Sequence, residues 1–479
     1  MITIQINNNK GRLLGGAKQL IKLQKDFKVR NPGAFFIRKT MGARGNNWDG
    51  KINYITDSYY FQIGLLPMII KKIEEYKFKY EIEDHRIDLN IKPKLPKYVG
   101  DKKLRDNQRE CVKRIIRNKV SGIPFPTASV KAATNFGKTL IMAGIYLAYR
   151  RKIPALILLN DADLFEQFKK EIPALLPDTD IKFIRGRKKN DIIHGHFTVA
   201  MVQSLSAFLV HHKKHLDKYG ILLVDEADLA NNKTYKRVIA QCINSVVTVG
   251  LSATLYMGKL AKHKPNNMAL KGLFSDIIYE IGKKEMQDKG LSTKVIIKIV
   301  KGNQKPGNTK DWQKEYKDCI TNNADRAIKC VDRVKFNAKL GRIPALVVCR
   351  YHDHINFMYR VFKNQLGHKY IIKKVHGDTP NRNKIITDFR VGKIDILIGS
   401  HILKRGKNFP LLRYVLNAAA GDSAEAVDQI LGRLERTHKD KKRAYMEDMF
   451  DEGTYLKRHS KHRVNYYKQM GLKIKEVYK

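Results

Sequence analysis

Cysteine is scarce in this chain: Cys111, Cys242, Cys319, Cys330 and Cys349 are the whole set in 479 residues, with no C-x-x-C pair and no regular spacing. That pattern argues against a disulfide framework and against a zinc or iron–sulfur centre, leaving reduced structural thiols as the expectation. Long apolar runs are also missing. None approaches the ~20 residues that cross a bilayer, and no signal-peptide pattern opens the sequence, so the expectation is a soluble intracellular protein without a membrane partner. Acidic residues are few: 46 Asp plus Glu stand against 93 Lys plus Arg, for a net charge of +47. A polyanion is the natural partner for such a chain, nucleic acid first, although lysine spread through every region also fits a surface kept soluble.

What is present is organised in three stretches. Residues 1–95 read as a small α+β domain, with strands expected in ITIQI, the AFFIR run and WDGKINYI, and a helix over Leu65–Tyr76. Lys92-Pro93-Lys94-Leu95-Pro96-Lys97 reads as an extended connection, because each proline disfavours helix in itself and in the residue before it. Residues 98–285 alternate apolar strand runs with helices: ALILL from Ala155, FTVAMV from Phe197, ILLVD from Ile221 and VVTVGLS from Val246. A second series fills 286–479, with ALVVC from Ala345, YIIKKV from Tyr370, IDILIGS from Ile394 and RYVLNAA from Arg413. Near-continuous apolar runs belong in parallel sheets covered on both faces, so two α/β domains with a cleft between them are expected. The basic stretch Tyr455–Lys479 reads as helix, either a solvated face or a nucleic-acid contact.

Four short segments carry chemistry. Ala133-Thr134-Asn135-Phe136-Gly137-Lys138-Thr139 lies between a strand segment and an apolar helix, a junction that aims backbone N–H groups at phosphate oxygens. Lys138 is expected on the β- and γ-phosphates of ATP and the Thr139 hydroxyl on Mg²⁺. Asn135 stands where such loops often place glycine, and Asn is one of the few other residues that enter positive φ cheaply. Asp225 ends an apolar strand, where ligands bind in open α/β sheets, and is the second expected Mg²⁺ contact. Glu226 beside it is placed to orient or deprotonate the attacking water, and Asp228 to link this segment to Ser252 and Thr254. Gln429-Ile430-Leu431-Gly432-Arg433-Leu434-Glu435-Arg436 puts Arg433 and Arg436 on one side of a helical turn, suited to stabilise charge on the transferred phosphoryl group. Gln108 can offer a donor and an acceptor to an adenine edge, although a surface glutamine is common.

These segments resemble those of superfamily 2 helicases over roughly Leu104 to Met446. Gln108 falls at the Q motif, Ala133–Thr139 at motif I, Asp225–Asp228 at motif II, Ser252-Ala253-Thr254 at motif III and Gln429–Arg436 at motif VI. Ser400 to Asn408 resembles motif V, with Gly406 and Asn408 at its nucleotide-facing positions. Asn160-Asp161, Gln203-Ser204 and His376-Gly377-Asp378 resemble segments that hold a single-strand backbone, although the family usually carries Pro-Thr where Asn160-Asp161 stands. The resemblance implies two tandem RecA-like domains with parallel sheets, preceded by the small α+β domain.

The LSAT form at Leu251–Thr254, the QxxGRxxR helix and GLFSDIIYEIG are more similar to the DNA branch-migration group than to RNA helicases. Gly45-Asn46-Asn47-Trp48-Asp49-Gly50-Lys51, followed by Gly64-Leu65-Leu66 and a helix, resembles the N-terminal domain of bacteriophage UvsW-type recombination helicases. That family implies an ATP- and Mg²⁺-dependent enzyme acting on Holliday junctions, forks, single-stranded DNA and R-loop hybrids, generally with 3′-to-5′ polarity. It would work in the cytoplasm, that of the host cell for a phage-encoded enzyme, and is expected to be a monomer in solution. An RNA helicase and a catalytically silent DNA-binding scaffold are the alternatives. Read from the residues alone, Trp48 either stacks on an exposed base, with Arg44 and Lys51 on phosphates, or is a core aromatic beside an Asp49-Gly50 turn.

Overall fold

A computed structural model describes residues 1–41, 48–133, 135–186, 195–210, 216–256, 263–302, 309, 311–400 and 409–477. It divides into two compact units, Met1–Ala132 with Gly137–Glu280, and Ala133–Phe136 with Ile281–Lys479.

The first unit opens with a four-stranded mixed sheet in the order Tyr60–Gln62, Lys10–Gly15, Ile2–Ile6, Tyr80–Asp84. Ile2, Ile4 and Ile6 are buried in strict alternation, the period-2 pattern that fixes which strand face meets the core. Against them pack Leu20 and Leu23 of an Ala17–Asp26 helix and Ile69, Ile70 and Ile73 of the Leu66–Glu75 helix. The AFFIR run departs from its expected strand and forms the Ala34–Met41 helix, directly after Pro32-Gly33. β-propensity reports packing against a half-buried surface, and this segment has none to pack on: Phe35 and Phe36 are exposed. Gly64 explains itself by contact. A Cβ there would lie 2.2 Å from the Lys271 carbonyl oxygen, so only glycine lets the start of the Leu66 helix meet the Lys264–Phe274 helix.

That second helix lies over a seven-stranded sheet in the order Ile181–Ile184, Phe197–Met201, Ala155–Leu159, Ile221–Asp225, Val247–Ser252, Thr127–Ala132, Ile277–Ile281. The strands are parallel, with Asp225 in register with Leu251 and Val130 likewise beside it on the other flank. Every residue of Ala155–Leu159, Phe197–Met201, Ile221–Asp225 and Val247–Ser252 is buried, as strands covered on both faces must be.

The second unit repeats the design: Ile372–Val375, Ile396–Ser400, Ala345–Cys349, Tyr414–Asn417, Arg443–Phe450, Lys294–Lys301, Lys473–Val477, again parallel. The described residues therefore show two parallel seven-stranded RecA-like sheets after a smaller mixed sheet. The C-terminal stretch is helical only over Thr454–Gln469; Gly471 turns the chain at φ 66° into the edge strand Lys473–Val477. All five cysteines are free and buried.

Candidate active site

In the first unit, the Lys138–Ala148 helix begins at Gly137, whose φ of 88° is a left-handed conformation that glycine adopts without cost. Glycine is needed there twice over, since a Cβ would lie 2.6 Å from Nε2 of Gln108. Gln108 is buried on the first turn of the Asp106–Ile116 helix, its Oε1 accepting from the Arg105 N–H at 3.0 Å. Its amide thus caps its own helix and lies against the loop glycine.

Lys138 and Thr139 occupy the first turn of the helix, half-buried. The Lys138 ammonium lies 2.7 Å from Asp225 Oδ1 and 3.8 Å from Glu226 Oε1. Burial alone would lower the Lys138 pKa, but the two carboxylates outweigh it and hold the ammonium charged above its ordinary range. Asp225 is the last residue of its strand and is buried, whereas Glu226 sits at φ 51° and is about one-third exposed. A non-glycine residue in that region is strained by an amount on the order of 1 kcal/mol or more, and here it turns the second carboxylate out of the sheet toward the ammonium. Ser252, ending the neighbouring strand, donates its hydroxyl to Asp228 Oδ1 at 2.6 Å and accepts from the Thr254 N–H at 3.1 Å. The strand ends thus bring together one cation, two carboxylates and a hydroxyl-bearing first turn. An oxygen-only set of Thr139 and Asp225 fits a hard divalent cation, and an ammonium over the N-terminus of a helix fits polyphosphate.

The second unit holds Ala133, Asn135 and Phe136 with the arginine segment. Ala133 and Phe136 are buried, and Asn135 has φ 69°. Asn135 Oδ1 accepts from Arg436 Nη1 at 2.8 Å, and its amide donates to the Glu435 carbonyl at 2.7 Å. The Ala424–Leu434 helix is capped at its start by the Ser423 hydroxyl. Gln429 and Arg433 are on it, the Gln429 carbonyl accepting from Arg433 Nη1 at 3.0 Å, with Arg433 buried. The helix ends at Leu434, and Arg436 follows its last turn, its N–H donating to the Arg433 carbonyl at 3.4 Å. Glu435, between the two arginines, is held by its carboxylate to the buried Lys283 ammonium at 2.7 Å and to the Gln287 amide at 3.2 Å. Lys283 also lies 3.4 Å from Asp428, and it fastens the arginine segment to the Lys283–Asp288 helix. No local sequence signal points to Lys283, whose partners are about 150 residues away.

Thr134, Gly406 and Asn408 lie outside the described residues. Of the strand-contact segments, Gln203 bonds the Asn160 side chain, while Asp161 caps the Ala162–Leu175 helix, accepting from Asp163 and Leu164 at 2.9 Å. Asp161 is thus the N-cap of that helix. In the second unit His376 lies beside His352, ring centroids 4.6 Å apart.

Two family models match the chain: "Type III restriction enzyme, res subunit" over residues 101–257 and "Helicase conserved C-terminal domain" over residues 328–438. Among characterised proteins, the ATP-dependent DNA helicase uvsW of Enterobacteria phage T4 is 24% identical over 446 residues, spanning 87% of this chain and 86% of that one. Solved structures with the same fold include a fragment of an HsdR subunit of a type I restriction enzyme from Vibrio vulnificus, at TM-score 0.54 and 16% identity over 78% of this chain and 68% of that one. Saccharomyces cerevisiae Dbp5 bound to RNA and ADP BeF3 is similar at TM-score 0.54 and 15% identity, over 79% of this chain and 90% of that one. ATP binding follows from the two helicase domains. No helix among the described residues is long and apolar enough to cross a membrane.

Proposed function

From a chain with a superfamily 2 helicase fold that closely resembles the phage UvsW-type helicases, and with the domains of an ATP-dependent helicase enzyme, we propose an activity on DNA: remodelling of branched substrates. Holliday junctions, forks and R-loops are the substrate class, with 3′-to-5′ movement along single-stranded DNA. The observation that carries this reading is the likeness to a phage DNA helicase across 87% of the chain, which takes in sequence beyond the motor segments alone.

The residues divide the work as follows. Lys138 leaves its carboxylates for the β- and γ-phosphates of ATP, and the backbone from Ala133 to Gly137 lines the phosphate path. Thr139 and Asp225 hold Mg²⁺, which when bound neutralises charge on the phosphate oxygens. Glu226, already turned out of the sheet, positions and deprotonates the attacking water. Arg433 and Arg436 place positive charge against the transferred phosphoryl group, with Gln429, Gly406 and Asn408 facing the nucleotide. Gln108 reads the adenine. Such an enzyme works in a cell's cytoplasm and is a monomer in solution.

The test is ATP hydrolysis coupled to strand release from a synthetic four-way DNA junction, beside linear duplex and matched RNA duplex at one salt concentration, with Glu226→Gln as control. Salt is fixed because backbone affinity depends steeply on it. Junction-selective release that the Glu226→Gln protein lacks supports the reading. RNA-selective release overturns the DNA assignment and leaves the motor.

A further inference from the structure

The Ala34–Met41 helix is the most exposed apolar feature among the described residues. Phe35 is 75% exposed and Phe36 71%, their rings edge to face with centroids 5.5 Å apart and planes at 84°. Two neighbouring phenylalanines in water cost a small domain solubility unless something covers them.

Their presentation is built rather than slack. The helix rises between two short paired strands, Lys28–Arg30 and Lys51–Asn53. Arg38, on the same helix, donates from Nε and Nη2 to the Trp48 carbonyl at 3.1 and 2.7 Å. Gly50, at φ 75°, lets the following turn close on the helix: a Cβ there would stand 3.2 Å from Ala34 Cβ and 3.3 Å from Arg38 Nη2. The Gly50 carbonyl accepts from the Asn31 N–H at 2.9 Å, and the Trp48 indole N–H donates to the Lys51 carbonyl at 2.8 Å. Trp48-Asp49-Gly50 therefore acts as a clamp. Trp48 is half-buried and is not among the residues of the domain's apolar core, its carbonyl holds the helix through Arg38, and the most exposed aromatic faces among the described residues are those of Phe35 and Phe36.

Charge says what covers them. Residues 1–60 carry eleven Lys or Arg against three Asp or Glu, whereas residues 61–92 carry six against six. Between Asp26 and Asp49 there is no acidic residue and there are five basic ones, Lys28, Arg30, Arg38, Lys39 and Arg44. An apolar partner alone would not need that field, and a second copy of the same surface would repel it. Flat aromatic faces in a one-signed basic field match a polyanion whose own faces are aromatic.

We infer that Phe35 and Phe36 form a stacking platform for unpaired bases of the nucleic-acid substrate, held in place by the Trp48-Asp49-Gly50 turn. The inference rests on the branched-DNA reading and gives the N-terminal domain its own contact: bases freed at a branch lie on the phenylalanines while Arg30, Arg38 and Lys39 meet the adjoining phosphates.

The full-length protein is titrated, without ATP and at fixed salt, into a forked DNA carrying 2-aminopurine in the unpaired arm at the branch. Wild type, the Phe35→Ala/Phe36→Ala protein, the double Leu variant and the double Tyr variant are compared. Both side chains lie in solvent, so far-ultraviolet circular dichroism should be unchanged in all four. Loss of a stacked base weakens binding by about 10- to 100-fold. The double Ala protein should show that loss and no change in 2-aminopurine emission, the double Tyr protein should restore both, and the double Leu protein should restore neither. Equal affinity and emission change in the double Ala protein would overturn the inference, as would full recovery by leucine, which keeps apolar area without a ring. Sedimentation showing wild-type self-association that the double Ala variant lacks would assign the patch to a second copy instead. A wild-type protein that stacks 2-aminopurine but never couples ATP to strand release would sink the helicase reading and leave the platform standing.

Discussion

The two seven-stranded sheets have the same strand number and the same parallel pairing, yet they handle charge at their strand ends in opposite ways. In the first, Lys138 faces Asp225 and Glu226 from a site open enough that the lysine keeps a fifth of its side-chain exposure and the glutamate about a third. In the second, Arg326 meets Asp451 through two bonds of 2.7 and 3.0 Å, with 1% and 0% exposure, and Arg463 meets Asp448 at 2.8 Å, both nearly as deep. An ion pair reachable by solvent can exchange partners with a ligand of the same charge type. A fully buried one cannot, because any separation leaves a desolvated charge behind. The first sheet thus leaves its charges within reach of a ligand, and the second uses them to fix its own geometry. Sequence composition is blind to this difference, since both sets are ordinary Lys, Arg, Asp and Glu.

The sharpest way to break the contrast is Asp451→Asn. It keeps shape and removes the charge that pairs Arg326, so urea unfolding should report about 3–5 kcal/mol lost from the second unit. Replacing both partners, Arg326→Met with Asp451→Leu, should recover most of it. Lys138→Ala makes the opposite experiment in the first sheet. Its unfolding midpoint should move less than in Asp451→Asn, because only Asp225 is left buried while Glu226, about one-third exposed, can take water, and ATP turnover falls by about 10²- to 10³-fold as a charge stabilising the transition state is lost. Equal stability losses in the two variants would erase the distinction.

The contrast also shows what was legible beforehand. The Gly137 turn before the Lys138 helix, the placing of Asp225 and Glu226, and the Ser252–Asp228 link are readable because each is written within a few residues of a strand end, and strand runs such as ALILL and ILLVD declare themselves by unbroken apolarity. Lys283, Arg326 and Arg463 are not readable, since their meaning comes from partners brought together by the fold. The Ala34–Met41 helix was hidden by β-favouring Phe and Ile in a segment with no surface to pack on. The Lys473–Val477 strand was hidden by lysine alternation on an edge, where charge is tolerated and protects against stray pairing. The Lys283–Glu435 contact beside Arg436 was likewise hidden, because it is non-local.

Smaller, and specific to the second unit, is an acid sensitivity. His354 is fully buried, with Nδ1 3.2 Å from the Tyr316 hydroxyl. Burial first, then the nearby Arg326 charge, pushes its pKa down to about 3. The folded protein therefore keeps it neutral while the unfolded chain protonates it below about pH 6.5. Its contribution is complete above that value and is lost as pH falls from 6.5 toward 3, amounting to about 2 kcal/mol at pH 5. The His354→Gln protein should show a flatter midpoint between pH 7 and pH 5. A slope equal to wild type would move the acid sensitivity to other groups.

The mildest change tests whether the first sheet's charges serve more than nucleotide. Ser252 is buried at the end of the strand beside Asp225's, and its hydroxyl is the donor that holds Asp228. Removing it with Ser252→Ala leaves that carboxylate short of a partner at about 1.5 kcal/mol, the lower end for a hydrogen bond to a charged group. Neither Lys138 nor Glu226 is touched by the substitution, so ATP hydrolysis should stay within a few-fold of wild type. Asp228 follows Glu226 by two residues on a short turn, so freeing it is expected to loosen the link between that turn and the Val247–Ser252 strand. Strand release per ATP hydrolysed should therefore fall more than hydrolysis itself. If both fall together in proportion, the Ser252–Asp228 bond supports the catalytic carboxylates alone, and the first sheet's open charges act on nucleotide only.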